Sequence, residues 1–161
     1  MKKAPQGHSL HSAFTIIELI FVIVILGILS AVALPKFAST KDMADVSKGR
    51  SDVAAIRSAI LTERQSQLIK GDNSYIGKLS SNSTTLFTGD TTPNPDRTLL
   101  KYGIVSGTTS GKWSASDSTY KLYDFKVDTT DVRFTYDADA GTFTCDRTNG
   151  TYGDICKKLI D

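Results

Sequence analysis

The stretch FTIIELIFVIVILGILSAVALP, residues 14–35, decides the fold of this 161-residue chain. From Leu19 to Leu34 it carries no charged residue. As a helix rising about 1.5 Å per residue, the stretch is long enough to cross a bilayer core of about 30 Å. Glu18 lies one turn inside the apolar run, where an unpaired carboxylate is costly and marks a functional position. The sequence therefore predicts a membrane-spanning helix with a functional carboxylate near its start.

The residues in front of this stretch form a short basic leader. It contains Lys2, Lys3, His8 and His11, and it ends at the small residue Ala13. A secretory signal peptide has a shorter apolar core, and its small-residue cleavage site follows that core. Here the apolar run is longer and the small residue precedes it, which argues against a signal peptide.

Residues 13–19, AFTIIEL, resemble the cleavage and methylation motif of type IV pilins and of type II secretion pseudopilins. The family pattern is a small residue, usually Gly, followed by Phe, Thr, two apolar residues and Glu. Gly27 and Pro35 fall where the family places its helix-weakening glycine and proline. The resemblance covers residues 8–40 and departs from the pattern at Ala13. The alternative is an ordinary single-span anchor with an incidental glutamate.

The resemblance implies a processing route and a set of partners. A prepilin peptidase would cut between Ala13 and Phe14, and the new amino group of Phe14 would be methylated. Glu18 would then pair with such an amino group and fix the register of assembly. The partners implied are the peptidase, an inner-membrane assembly platform, and copies of the chain with other pilin-like subunits in a helical filament.

The charge balance gives no strong case for nucleic-acid binding. The chain has 19 basic and 17 acidic residues, and removal of the leader with its two lysines leaves 17 of each. Lys36, Lys41, Lys48 and Arg50 lie beyond the span, so the positive-inside rule leaves the orientation ambiguous. The resemblance implies a single-pass protein of the bacterial inner membrane with its C-terminal part in the periplasm. It also implies later residence in a filament, in the periplasm or at the cell surface.

We expect four regions and an α+β fold. Residues 1–13 are the leader, 14–35 the transmembrane and assembly helix, 36–70 its amphipathic continuation, and 71–161 a variable loop with an antiparallel β-sheet head. The continuation places five apolar residues on one helical face: Val46, Val53, Ile56, Ile60 and Leu68. Gly71 ends the helix, which is bent or loosened near Pro35 because proline removes a backbone hydrogen bond.

The C-terminal part is expected to cover that face with a sheet. Residues 71–98 are a long connection with one short element near 75–79. Strands are expected at 102–105, 112–114, 123–127, 132–136 and 143–145, and the first two flank a turn. The last three form an antiparallel meander with turns at 129–130 and 137–141.

Cys145 and Cys156 are the two cysteines, with ten residues between them. In the periplasm that the resemblance implies, a disulfide is the natural interpretation. A metal site is the alternative, but two thiols without a nearby His or further Cys do not make a zinc site. Residues 137–141, DADAG, begin like a calcium loop but lack the later bidentate acid, so a hairpin turn is preferred.

No catalytic, cofactor or metal site is expected. The chain has no histidine after His11, and it shows no nucleophile–base set or phosphate loop. Trp113 with Tyr102, Tyr120 and Tyr123 forms either a binding surface or core. The chain is therefore interpreted as a filament subunit and not as an enzyme. The alternatives are a minor pilin of a DNA-uptake system, a non-assembling anchored protein and a membrane-anchored enzyme.

Overall fold

The computed structural model describes residues 14–91 and 95–161, which form two compact units. Within these residues the elements are α1 (Ile16–Ile69), β1 (Thr85–Leu86), β2 (Ile104–Val105), β3 (Trp113–Ala115), β4 (Leu122–Val127), β5 (Thr130–Asp137), β6 (Thr142–Cys145) and α2 (Gly153–Ile160). The first unit, Met1–Ser39, contributes the start of α1. The second unit, Thr40–Asp161, holds the rest of α1 and every other element, and we call it the head domain.

Helix α1 is one continuous α-helix through Gly27 and Pro35. It ends at Ile69, and Gly71, the predicted stop, follows with a φ of 87° that suits a residue without a β-carbon. The amide of Gly71 donates to the carbonyl of Leu68, and the amide of Asp72 donates to that of Gln67. These two bonds are the Schellman pattern that satisfies the last carbonyls of a helix.

The main sheet of the head domain has four antiparallel strands in the order β3-β4-β5-β6. The predicted meander is therefore confirmed, and a further strand, β3, adds to its edge. Tyr123 lies opposite Phe134, and Phe134 lies opposite Cys145, so alternate residues of three strands share the inner face. On the outer face, Arg133 Nε donates to Asp124 Oδ1 over 3.0 Å.

The prediction for the segment between α1 and this sheet is partly wrong. β2 and β3 flank a turn as predicted, but β2 pairs with β1 in a separate two-stranded sheet that the sequence did not predict. β1 was not expected because two residues are too short to show a period. Residues 75–79 form no helix or strand, yet Ile76 and Leu79 are fully buried there and anchor the connection.

The predicted stripe of α1 is correct in its middle and wrong at its end. Val53, Ile56 and Ile60 are buried, whereas Leu68 is 47% exposed. The buried face continues instead through the polar residues Glu63 and Gln67, which hydrophobic periodicity does not register. In three-or-four residue steps that face comprises Gly49, Val53, Ile56, Ile60, Glu63 and Gln67.

Trp113 is the centre of the aromatic core. Its ring centroid lies between 4.8 and 5.9 Å from those of Phe87, Phe125, Phe134 and Phe143. Its indole Nε1 donates to Asp52 Oδ2 over 3.0 Å, which ties the sheet to α1 through a satisfied polar group. A long helix packed against a small antiparallel sheet confirms the α+β fold.

Candidate membrane and assembly segment

The start of α1 exposes all its apolar side chains. Residues Ile16–Leu34 have a mean hydropathy of 2.9 and none of them is buried, so this part of the helix is long and apolar enough to cross a membrane. Ile17, for example, is 76% exposed, and Leu34 is 70% exposed. A surface helix of a water-soluble domain would bury one apolar face, whereas this segment is apolar around its whole circumference. The segment therefore requires an apolar environment supplied from outside the chain.

Thr15 and Glu18 lie at the start of this helix and contact each other. The amide of Glu18 donates to Thr15 Oγ1 over 3.3 Å, and the Thr15 hydroxyl lies 3.5 Å from Glu18 Oε2. This pairing resembles a capping box, in which a Ser or Thr and a Glu three residues later satisfy the first amides of a helix. The T-x-x-E spacing carries that signal in the sequence, where the motif and the membrane context of Glu18 predicted no capping role.

Glu18 and Phe14 lie four residues apart, about one helical turn. Phe14 is 72% exposed, and Glu18 is exposed too. Both are therefore accessible to a second molecule. Ala13, the residue predicted before the cleavage site, and the rest of the leader lie outside the described residues.

Gly27 lies in an open part of this segment. A β-carbon built on Gly27 meets nothing within 4 Å, so the glycine is not required there by close packing within the chain. Pro35 is accommodated within the continuous α1. That these two residues weaken the helix stays a prediction.

The head domain contains the disulfide between Cys145 and Cys156, with 5.9 Å between the two Cα atoms. It joins β6 to α2, a helix that the sequence analysis did not anticipate. Cys156 and Leu159 of α2 are fully buried. The segment after Cys145 therefore buries more than its glycine-rich sequence indicates.

The turn at residues 137–141 is a hairpin between β5 and β6. Asp137 Oδ1 accepts hydrogen bonds from the amides of Asp139 and Ala140, and Gly141 has a φ of 67°. The first acid of the calcium-like sequence thus serves the turn itself, as an Asx turn does.

The aromatic candidates divide between core and surface. Trp113 and Tyr123 are fully buried, and the Tyr123 hydroxyl hydrogen-bonds with Ser80 over 2.7 Å. Burial raises the pKa of Tyr123. Tyr102 is 82% exposed, and Tyr120 packs partly against the core. The four residues therefore do not form one binding surface.

A buried charged cluster in the head domain was missed by the sequence analysis. Arg97 Nη2 donates to Asp72 Oδ2 over 2.5 Å and to Ser74 Oγ over 2.8 Å. Arg97 Nε lies 3.6 Å from Glu63 Oε1. Burial raises the pKa of Glu63, and the positive charge of Arg97 offsets this only in part. In the sequence, the cluster is signalled only by Glu63, an acid that follows the core residues of α1 at helical spacing.

Comparison with known proteins identifies relatives of two named kinds. The type II secretion system core protein G of Dickeya chrysanthemi is 31% identical over 102 residues, covering 63% of each chain. The protein of the same name from Vibrio cholerae is 31% identical over 102 residues, covering 63% of this chain and 65% of the relative. The type IV major fimbrial protein FimA of Dichelobacter nodosus is 33% identical over 109 residues, covering 68% of this chain and 67% of FimA.

The match is partial in length. The chain spans 63% and 65% of the two core protein G relatives. No family model matches the chain, and no solved structure matches it. The match to FimA nevertheless covers two thirds of that relative at 33% identity, and it agrees with the apolar N-terminal helix and the small antiparallel sheet. This chain belongs to the family of type IV pilins and type II secretion pseudopilins.

Proposed function

We propose that this chain is a structural subunit of a type IV pilus-like or type II secretion filament and has no enzymatic role. The observation that carries the proposal is the apolar segment Ile16–Leu34, exposed throughout, in a chain of this family. Surrounded by lipid, such helices gain nothing from the hydrophobic effect by associating. Once extracted from the bilayer, they must bury their apolar surface against one another.

The proposed route starts in the inner membrane. A prepilin peptidase removes residues 1–13 by cutting between Ala13 and Phe14, and Phe14 is then methylated at its amino group. Residues 14–35 anchor the subunit, residues 36–70 continue the helix, and residues 71–161 complete the periplasmic head. An assembly platform then lifts the subunit into a helical filament, in the periplasm or at the cell surface.

Glu18 is proposed to set the axial register in that filament. After cleavage, the Phe14 ammonium and the Glu18 carboxylate are two charges at the start of an otherwise apolar helix. Each is costly to desolvate alone, and pairing with a neighbouring subunit removes part of both penalties. A polar contact among apolar helices fixes register at some cost in stability. Thr15 Oγ1 lies 3.5 Å from Glu18 Oε2 at the helix start, where this partner would arrive.

The relatives support both a secretion filament and a pilus. Core protein G is named for type II secretion, and FimA is named a major fimbrial protein. Both names describe structural components, which favours a filament subunit over the anchored-enzyme alternative. A role as minor pilin in DNA uptake is the second function within the same family.

The test is a substitution series at Glu18 in cells carrying the whole assembly machinery. Glu18→Ala should leave membrane insertion and cleavage intact and abolish or sharply reduce filaments. Glu18→Asp keeps the charge but withdraws it by one methylene, so we expect an intermediate yield. The measurement is filament yield beside the amount of membrane-bound mature subunit in the same cells. Assembly of Glu18→Ala at the wild-type level would exclude Glu18 as the register contact.

A further inference from the structure

On α1, three buried side-chain atoms have no hydrogen-bond partner in the part of the chain that the structure describes. They are both carboxyl oxygens of Glu63 and the Nε2 of Gln67. Gln67 follows Glu63 by four residues on the buried face of α1, a spacing that brings two side chains of a helix to about 5–6 Å from each other at Cβ. Buried polar groups are normally satisfied, so the protonation state of Glu63 decides what this pair needs.

An ionised Glu63 would be poorly stabilised at this position. Both of its oxygens would need hydrogen-bond donors, and the Gln67 amide supplies a donor to one of them. Arg97 Nε lies 3.6 Å from Glu63 Oε1, beyond the usual hydrogen-bond distance of about 3 Å. The Glu63 side chain is 2% exposed, so water does not supply the second donor, and a buried charge without its donors is costly.

A neutral Glu63 removes this deficit. Its hydroxyl becomes a donor to the Gln67 amide oxygen, and its carbonyl oxygen accepts from Gln67 Nε2. The acid and the amide then form a ring with two hydrogen bonds, and all three unpartnered atoms are satisfied. Burial raises the pKa of Glu63, which favours the same neutral form.

The charges near Glu63 also favour its neutral form. In the described part of the chain, the ionisable groups that act on Glu63 are Arg97, Asp72, Lys70 and Tyr136. Lys70 is engaged by Asp96 over 3.3 Å, and Tyr136 is neutral because burial raises its pKa. One guanidinium is therefore left for two carboxyl groups. With Glu63 neutral, Arg97 and Asp72 balance each other, whereas an ionised Glu63 leaves an excess negative charge.

Arg97 lies on the Asp72 side of this cluster. Its Nη2 donates to Asp72 and to Ser74, so it ties the end of the long connection between α1 and the sheets to the start of that connection. The Ser74 amide and hydroxyl, together with Arg97, hold the pKa of Asp72 below its ordinary value. Asp72 therefore stays ionised where Glu63 titrates, and the two acids compete for Arg97 only once Glu63 has lost its proton.

We propose that Glu63 is a proton-dependent switch in the head domain. As a neutral acid it pairs with Gln67 and leaves Arg97 to Asp72, and as a carboxylate it draws Arg97 away from Asp72 and loosens the connection of residues 71–98. Glu63 lines an open groove between α1 and residues 98–100, so a small movement of its side chain lets the carboxyl release its proton to solvent. The inference concerns the folded subunit and does not depend on the proposed filament function.

The sign of the effect on stability follows from the raised pKa. The folded state holds the Glu63 proton more tightly than the unfolded chain does. The stability that this proton contributes is therefore fully present below the ordinary pKa of about 4.5, and it is lost as the pH rises through the higher folded pKa.

Carbon-13 NMR of the carboxyl group tests the switch directly, because Glu18 and Glu63 are the two glutamates of the chain. The full-length chain, labelled at glutamate Cδ and held in detergent, is titrated from acid to mildly alkaline pH, and the Glu63 signal is the one absent in Glu63→Gln. We expect a midpoint above 4.5 and shifts of the Asp72 and Ser74 amides with the same midpoint. A midpoint at or below 4.5, a Glu63 signal that does not move, or amides that do not follow it would overturn the proposal.

Asp72→Asn separates the competition for Arg97 from burial alone. It frees Arg97 for Glu63 and leaves Glu63 buried, so the Glu63 midpoint should fall towards its ordinary value. Asp154→Asn, which removes one negative charge from α2, is the matched control and should leave the midpoint unchanged. An unchanged midpoint in Asp72→Asn would assign the effect to burial, and an equal fall in both variants would assign it to net charge; either result overturns the switch.

Thermal unfolding of Glu63→Gln in detergent gives a second readout. Glutamine keeps the shape of the side chain and can pair with Gln67, but it cannot ionise. The unfolding midpoint of the variant should therefore match that of wild type in acid and exceed it at a pH where Glu63 is ionised. A variant that is destabilised equally at both pH values would assign Glu63 to a permanent ion pair with Arg97 and refute the proposal.

Discussion

Gly49 and Gly27 are both glycines within α1, but their surroundings differ. A β-carbon built on Gly49 would lie 2.5 Å from Phe125 Cε1 and 2.7 Å from Leu159 Cδ2. A β-carbon on Gly27 would meet nothing within 4 Å. Gly49 is therefore required for the close approach of the sheet and α2 to α1. The role of Gly27 must lie outside the packing of the isolated chain.

Gly49→Ala should destabilise the head domain even though alanine favours helix. Overpacking of a tight core costs about 1–3 kcal/mol, and contacts as short as 2.5 Å favour the upper part of that range, which exceeds a helix-propensity gain of about 1 kcal/mol. Gly27→Ala is the matched control, because it gains the same propensity and meets no neighbour. The measurement is denaturant unfolding of both full-length variants in detergent. Equal stability of the two variants would contradict the packing role of Gly49.

The ion pair of Asp124 and Arg133 makes the stability of the head domain depend on pH, and the sign of that dependence can be derived. Burial would raise the pKa of Asp124, but hydrogen bonds from Arg133 and Ser116 lower it below its ordinary value. The folded state therefore binds this proton less tightly than the unfolded chain does. The pair contributes stability above the ordinary pKa of about 4, and that contribution is lost as the pH falls through the lower folded pKa.

Asp124→Asn should accordingly cost about 1 kcal/mol of unfolding free energy at pH 7 and close to nothing at an acidic pH below the lowered folded pKa. Denaturant unfolding at both pH values measures the difference. Asp131→Asn removes the more exposed pair with Lys126 on the same face of the sheet and should cost less at pH 7. A constant cost of Asp124→Asn at both pH values would indicate a packing effect instead of an ionic one.

At the level of elements, α2 depends on the disulfide. This helix of eight residues is too short to be stable alone, and it is attached through Cys156 and through Leu159 beside Gly49. Arg50 of α1 adds two hydrogen bonds to the carbonyl of Lys158. The disulfide and these contacts together fix the last residues of the chain on the head domain.

Replacing both cysteines by serine should lower stability by about 3 kcal/mol, the chain-entropy estimate for so short a loop. Amide hydrogen exchange should accelerate in Gly153–Ile160 more than in β4 or β5, because the sheet keeps its own pairing. Leu159→Ala, which removes buried contacts but keeps the covalent link, should accelerate exchange in α2 less. Free thiols detected by labelling non-reduced, folded wild-type protein would contradict this account.

The sequence predicted well the elements that bury one face and are long enough to show hydrophobic periodicity. Tyr123, Phe125 and Val127 alternate with polar residues, and all three are buried on β4 as predicted. The failures occur where polarity and burial disagree or where an element is too short. Glu63 is buried at a core position, Leu68 is exposed, and β1 has two residues. α2 was missed because the glycine-rich residues before it suggested a loop.

The apolar helix of the candidate assembly segment could be predicted because it is contiguous in sequence, whereas the roles of its residues stay predictions. Residues 14–35 carry the motif, the apolar run and Glu18 together, so no tertiary contact is needed to recognise them. The charged cluster around Glu63 could not be predicted, because it depends on Arg97 returning to α1 from far along the chain. Tertiary contacts of this kind leave no periodic signal in the sequence.

At the scale of the whole molecule, the proposed removal of residues 1–13 would change both the net charge of the chain and its N-terminal group. The intact chain has a formal charge of +2, and the two leader lysines account for the whole excess. Cleavage before Phe14 would leave a neutral chain whose new ammonium lies one turn from Glu18. A subunit that kept its leader would have to place Lys2 and Lys3 near apolar helices in a filament, which is costly for unpaired cations.

The last prediction is that processing is required for assembly and depends on the size of residue 13. Ala13→Leu should block cutting, because a bulky side chain does not enter a peptidase pocket shaped for Gly or Ala. The uncut chain should stay in the membrane through Ile16–Leu34, since the apolar span is unchanged. Ala13→Gly, which restores the commonest family residue, is the matched control and should be cut at least as well as wild type.

Intact mass should give a chain beginning at methylated Phe14 for wild type and Ala13→Gly, and a chain retaining the leader for Ala13→Leu. Filaments should appear only in the first two strains. A wild-type mature protein that retains residues 1–13 in cells with an active prepilin peptidase would refute the processing step, and filaments built from uncut Ala13→Leu would show that assembly needs neither the cleavage nor the ammonium it creates.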